Sequence, residues 1–144
     1  MRVNKEQVVL SKANIASTPN RVLVLRLFLT HNNTTLSLGD ILNFLCFAEK
    51  STIFRTLQLF EAKEILHSVV SVDGIKNYAL CTQDCIVDNH THLHGHLKCK
   101  ECSLMFCTPM VSLPVFETRL GVKIDKVQII ANGTCKDCNQ VAYQ

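Results

Sequence analysis

The chain has 144 residues, of which 47% are hydrophobic and 19% charged, enough to bury a core as one domain or two small ones and too apolar for a disordered chain. No charged leader precedes an apolar run and no stretch approaches a bilayer span, so neither export nor a membrane is expected. The expected compartment is the cytoplasm, where eight cysteines stay reduced and open to metal. The net charge of +3 sits wholly in residues 1–80, with nine Lys/Arg against six Asp/Glu, while residues 81–144 carry six of each. That small excess agrees with nucleic-acid contact by the first half.

Residues 1–16 are polar and mixed, a frayed start or a short helix around Val8, Val9 and Leu10. Ser17-Thr18-Pro19 then opens a helix, a hydroxyl cap followed by a proline whose missing N–H costs nothing at the first position. It should run to about His31, with Val22, Leu25 and Leu29 as one apolar stripe widened by Val24, Leu27 and Phe28. Ser37 and Asp40 have capping-box spacing and start a short helix that buries Ile41, Leu42 and Leu45. A third helix begins near Lys50, with Ile53, Leu57 and Phe60 inward at helical spacing. Its other faces show Lys50, Thr52, Arg55, Thr56 and Gln58, side chains able to meet phosphates or base edges; a solvated polar face is the plainer alternative. Ile65 to Val72, Asp73-Gly74 and Ile75 to Leu80 then read as strand, turn and strand. Three short helices followed by a hairpin describe a winged helix, whose third helix enters the major groove.

The second half turns on two Cys-x-x-Cys pairs, Cys99/Cys102 and Cys135/Cys138. Each pair lets two thiolates reach one ion, and together they make a closed tetrahedral set for a structural zinc. Buried free cysteines or two redox dithiols are the alternatives. His90, His92, His94 and His96 alternate, so an extended strand would place them on one face, with Leu93 and Leu97 toward a core. Such a face suits a second, exchangeable metal, or is a cluster of solvated histidines. Leu104 to Cys107 continues apolar, Pro109 and Pro114 bracket a loop, and Val122 to Ala131 has the β-formers of a strand. Cys46 and Cys107 read as small core residues. The expected architecture is α+β: a winged-helix DNA-binding domain over residues 1–82 and a small α/β domain with the four-cysteine zinc over residues 83–144, linked somewhere between Leu80 and Asn89.

Four fragments in this order carry a resemblance. Thr18-Pro19-Asn20-Arg21 resembles a T-P-x-R helix start, and Ser51-Thr52-Ile53-Phe54-Arg55-Thr56-Leu57 resembles an A-T-V-Y-R-T-L recognition helix. His94-Gly95-His96-Leu97-Lys98-Cys99-Lys100-Glu101-Cys102 resembles an H-x-H-x-x-C-x-x-C signature, closed by Cys135-x-x-Cys138. These are motifs of the ferric uptake regulator family, and the match covers most of the chain. The resemblance implies a homodimeric, metal-responsive transcriptional regulator on a palindromic duplex operator, of the repressor type, acting on metal-homeostasis or oxidative-stress genes, with residues 83–144 as its dimerisation and metal-sensing domain. It implies Cys99, Cys102, Cys135 and Cys138 as structural zinc ligands and His94 and His96 as ligands of a regulatory zinc, iron or manganese between the domains. Phe54 and Arg55 stand where the family's Tyr and Arg contact bases; Phe54 keeps the ring without the hydroxyl, and Arg55 keeps a fork suited to guanine. With Arg21, Lys50, Ser51, Thr52 and Gln58 they form the expected DNA-binding set.

Several positions depart from the family. Tyr78-Ala79-Leu80 stands where Y-E-L is usual, removing a carboxylate ligand, and Thr35 replaces a histidine of the first domain. Gly95, Pro114 and Val127 occupy places of a further sensor site, and Ala16 falls near a minor-groove lysine of some members. Cys81, Cys85, His90 and His92 are on hand as substitutes, and with His94 and His96 they compose a remodelled site of borderline-soft character. Loss of regulation is the alternative, leaving a zinc-stapled protein-interaction module; a peroxide-sensing regulator of the same family is another. Catalysis is not expected: no glutamate lies in a His-x-Glu or His-Glu-x-x-His setting and no Gly-rich phosphate loop occurs.

Overall fold

The computed structural model describes residues 4–81, 95–108, 121, 123 and 127–141, in two units, 1–81 and 82–144. In the first unit α1 (Lys5–Lys12) precedes α2 (Pro19–Thr30), β1 (Leu36–Ser37), α3 (Leu38–Phe44), α4 (Lys50–Ala62) and the hairpin β2 (Leu66–Val70) and β3 (Lys76–Leu80). The helices number four because residues 5–12 form a full helix. Leu10 anchors it in the core, and Glu6 is tied to Arg26 of α2 at 2.7 Å.

The ends of α1 and α4 follow one rule. Asn14 and Glu64 adopt left-handed φ values of 56° and 57°. The next amide in each case returns to the last turn, Ile15 to the Leu10 carbonyl and Ile65 to the Phe60 carbonyl, both at 2.9 Å. These are Schellman closures in which each such pair of side chains is also buried, so capping and core packing reinforce each other.

In α2, Pro19 takes the first helical position, but the Thr18 side chain makes no capping bond. The buried stripe is Val24, Leu25 and Phe28, with Val22, Leu27 and Leu29 only partly buried, a rotation from the expected stripe. A helix apolar on nearly all sides leaves its inner face to be chosen by its neighbours, here α1 and α4. The capping box of α3 forms as expected: Asp40 N–H donates to Ser37 Oγ at 3.1 Å and Ser37 N–H to the Asp40 carboxylate at 2.8 Å. Helix α4 buries Ile53, Leu57 and Phe60 completely, so truncating Phe60 to alanine should cost about 3–5 kcal/mol.

Strand β3 lies between β1 and β2, antiparallel to both. The β2–β3 turn is longer than a two-residue Asp-Gly loop. Ser71 N–H bonds to the Ile75 carbonyl at 3.0 Å, Gly74 N–H to the Ser71 carbonyl at 2.8 Å, and Gly74 takes φ +80°. Glycine is suited there because a side chain would be strained at that φ. Cys46, expected in the core, is exposed in the turn before α4 between exposed Phe44 and Phe47. The inward place in this turn is taken by Leu45.

The second unit carries a sheet of order β5-β4-β6 from β4 (Gly95–Cys99), β5 (Met105–Thr108) and β6 (Ile129–Gly133), with β4 antiparallel to β5 and parallel to β6. Helix α5 (Lys136–Val141) follows directly. On β4 the expected sidedness is inverted: His96 is buried and Leu97 half-buried, leaning toward Gly133. Cys107 is half-buried. Leu93, Pro109, Pro114 and the start of the expected Val122–Ala131 strand lie outside the described residues.

Candidate metal centre and nucleic-acid interface

The turn from β4 to β5 and the start of α5 bring four sulfurs together. Cys99 ends β4, Cys102 lies in the turn, Cys135 immediately precedes α5 and Cys138 is in its first turn. All four Sγ atoms lie within 4.8 Å of one another, and Cys102 and Cys135 are 3.9 Å apart. Tetrahedral zinc with Zn–S near 2.3 Å needs sulfurs roughly 3.8 Å apart, so the cluster has the dimensions of a four-thiolate site. None of the four is in a disulfide. The parallel register Cys99↔Gly133 explains the meeting, because it delivers the chain after β6 to the end of β4.

The backbone prepares this cluster for a cation. Amides of Cys102 and Cys135 point at Cys99 Sγ and bring its thiol down to about 6, the Cys135 N–H lying 3.3 Å away. For Cys102 the Leu104 amide favours the thiolate, but burial and the neighbouring sulfurs outweigh it and the thiol is raised. Cys138 is pushed up to about 12, chiefly by Cys135 and by burial. Adjacent sulfurs cannot all ionise without a counter-charge, and a divalent ion supplies it while displacing the protons. The residues present therefore fit a structural zinc.

Of the residues expected at a second site, Cys85, His90, His92 and His94 lie outside the described residues. Cys81 follows β3, its N–H bonded to the Ile65 carbonyl at 2.9 Å, and its Sγ lies 3.6 Å from Nδ1 of His67. His67 is not among the ligands expected from the sequence. It is buried on β2 directly opposite Ala79, the position where the resemblance implies a carboxylate. Directly opposed strand residues share a face, so an imidazole stands across from the missing acid. Thiolate and imidazole bound to one zinc at 2.3 and 2.0–2.1 Å would sit about 3.6 Å apart, the spacing of this pair. In the second unit His96 and Cys107 are direct partners across β4 and β5. Only strand register brings these residues together, and an isolated histidine in a β-branched run gives no sign of it.

Along α4, Lys50, Ser51, Phe54, Arg55 and Gln58 are exposed and Thr52 is half-buried, opposite the stripe of Ile53, Leu57 and Phe60. Thr56, expected outward, is buried, its hydroxyl donating to the Thr52 carbonyl at 2.9 Å. Arg21 is half-buried and donates through Nη1 to the Ala16 carbonyl at 3.1 Å. The exposed side chains of α4 thus offer a cation, a guanidinium fork, an amide and an aromatic ring.

Residues 12–107 match the model of the ferric uptake regulator family. The ferric uptake regulation protein of Bacillus subtilis (strain 168) is 26% identical over 148 aligned positions, covering 96% of this chain and 95% of that protein. In fold, the chain is similar to a zinc uptake regulator solved with zinc and DNA, with a TM-score of 0.69 at 22% identity over 99% of this chain and 100% of the other. It is also similar to the ferric uptake regulator of Vibrio cholerae, with a TM-score of 0.60 at 18% identity over 89% and 98%. No helix among the described residues is long and apolar enough to cross a membrane. With a family match over residues 12–107 and a four-cysteine cluster of zinc dimensions, the chain belongs to the ferric uptake regulator family, a family of metal-dependent transcriptional regulators and not of enzymes.

Proposed function

We propose that this regulator is a zinc-stapled repressor that binds a palindromic duplex as a homodimer. The observation that carries the reading is the division of α4, with an apolar stripe buried and Lys50, Ser51, Phe54, Arg55 and Gln58 exposed. The Arg55 fork suits guanine O6/N7 and the Phe54 ring suits a thymine methyl, while Arg21, Lys50, Ser51 and Thr52 take phosphates. Residues 1–82 bind DNA and residues 83–144 dimerise. Cys99, Cys102, Cys135 and Cys138 hold the structural zinc, in keeping with the zinc and DNA of the regulator similar in fold.

A second, regulatory metal is bound by His67 and Cys81, with Cys85, His90, His92, His94 and His96 as the pool that completes its shell. A thiolate with imidazoles favours zinc over an ion that prefers all-oxygen ligands. The salt dependence of duplex binding by the zinc-loaded protein tests the reading. A DNA binder neutralising several phosphates loses affinity steeply between about 50 and 200 mM salt. Absent or salt-independent binding would leave a zinc-stapled protein-interaction module.

A further inference from the structure

The starts of α2 and α4 form an open pocket of about 190 Å³ lined by Thr18, Asn20, Arg21, Thr52, Arg55 and Thr56. The lining holds two guanidinium groups, three hydroxyls and one amide, and no carboxylate. The ion pairs Arg26–Glu6 and Lys76–Glu61 use other cations, so neither lining arginine is neutralised by them. Arg21 spends one N–H on the Ala16 carbonyl, which fixes the guanidinium while leaving its other donors available. Thr18 occupies the cap position of α2 without a side-chain capping bond and lines the cavity instead.

The volume limits the occupant. Sites that enclose a whole small molecule run to about 300–1,000 Å³, and this one is smaller. A single hydrated oxyanion matches that volume and a lining of guanidinium groups and hydroxyls. We propose that the cavity seats a single phosphate-type oxyanion, supplied by the backbone of a bound duplex or by free inorganic phosphate. The first source rests on the DNA-binding reading; the second does not. A backbone phosphate held here fixes the register of α4, because Arg55 lines the same cavity from the helix proposed to read base edges. Free phosphate then competes with DNA by occupancy, beyond its effect as salt.

The test uses the full-length zinc-loaded protein, inorganic phosphate and a mixed-sequence duplex. Without DNA, phosphate should shift the backbone amide resonances of Asn20, Arg21 and Thr52 saturably at fixed ionic strength, and Arg21→Gln should abolish the shifts. With the duplex, Arg21→Gln should weaken binding about tenfold whatever the sequence and reduce the salt slope by about one, with Arg21→Lys intermediate. At matched ionic strength phosphate should inhibit the unmodified protein more than chloride does, and this excess should vanish in Arg21→Gln. Shifts confined to the cavity in a protein that binds no duplex would keep the seat for free phosphate and remove the DNA reading. Duplex binding with unchanged affinity and slope in Arg21→Gln, or phosphate shifts scattered over surface lysines, would overturn the seat.

Discussion

Ser103 shows at the smallest scale how the zinc turn is built. It follows Cys102 with φ 61°, a left-handed conformation that costs an L-residue about 1–2 kcal/mol. Its N–H bonds to the Cys99 carbonyl at 3.0 Å and its carbonyl accepts from Lys98 Nζ at 2.6 Å, so the turn closes over the strain. Ser103→Gly should remove that cost, partly offset by the wider freedom of glycine in the unfolded chain, for a net gain of under about 1 kcal/mol. Thermal unfolding of the zinc-loaded protein should then rise by a few degrees, and a lower midpoint would mean that the hydroxyl itself supports the turn. The residue scale also shows where sequence reading works. Cys99/Cys102 and Cys135/Cys138 are legible because i,i+3 spacing is local and each pair must meet an ion together. His67 is illegible because its partner Cys81 is fourteen residues away and meets it only through the β2–β3 pairing.

Among elements, those with a local chemical signature are readable and those positioned by neighbours are not. Ser37 and Asp40 announce α3 through a reciprocal bond pair. The inward face of α2 cannot be read, since Val22 to Leu29 is apolar at every position but Arg26. That exception has a purpose: Arg26 Nε donates to Glu6 at 2.7 Å and joins α2 to α1. The guanidinium holds the nearly buried Glu6 carboxyl below its ordinary value of 4.5. A depressed carboxylate contributes stability that is fully present above its unfolded pKa and is lost as pH falls through the lower, folded value. Glu6→Gln should therefore destabilise the first unit by about 1 kcal/mol at pH 7. The gap between the two proteins should close as pH falls below about 4.5. Denaturant midpoints measured across that range decide it, and a gap that stays constant would assign the effect to packing instead. At the other end of α4, Glu61 accepts from Lys76 Nζ at 2.7 Å and from Ser68, holding both hairpin strands to the helix. This lysine is thereby engaged within the protein rather than offered to phosphate.

For the whole molecule, the proposed second metal has to bind without the carboxylate and the histidine that the family resemblance implies at Ala79 and Thr35. A ligand shifts an equilibrium only through its different affinity for the two states, and linkage makes the effect reciprocal. If metal at His67 and Cys81 favours the DNA-competent dimer, DNA must tighten that metal by the same factor, about 5- to 150-fold for typical couplings. Cobalt makes the two sites separable. It should fill the four-cysteine cluster first with an intense thiolate charge-transfer band, then a second site with a weaker band from one or two thiolates. His67→Ala and Cys81→Ser should each remove the second band and spare the first. In those variants duplex affinity should fall to that of the protein whose exchangeable metal has been chelated, and adding metal should no longer raise it. Chelation mild enough to leave the ion of the four-cysteine cluster in place is essential, because losing that ion would unfold the second unit and abolish DNA binding for an unrelated reason. The decisive comparison is metal affinity with and without saturating duplex. Equal values, with the second band still present, would mean that the site binds metal without reporting it to DNA, leaving His67 and Cys81 to hold the base of the hairpin and nothing more.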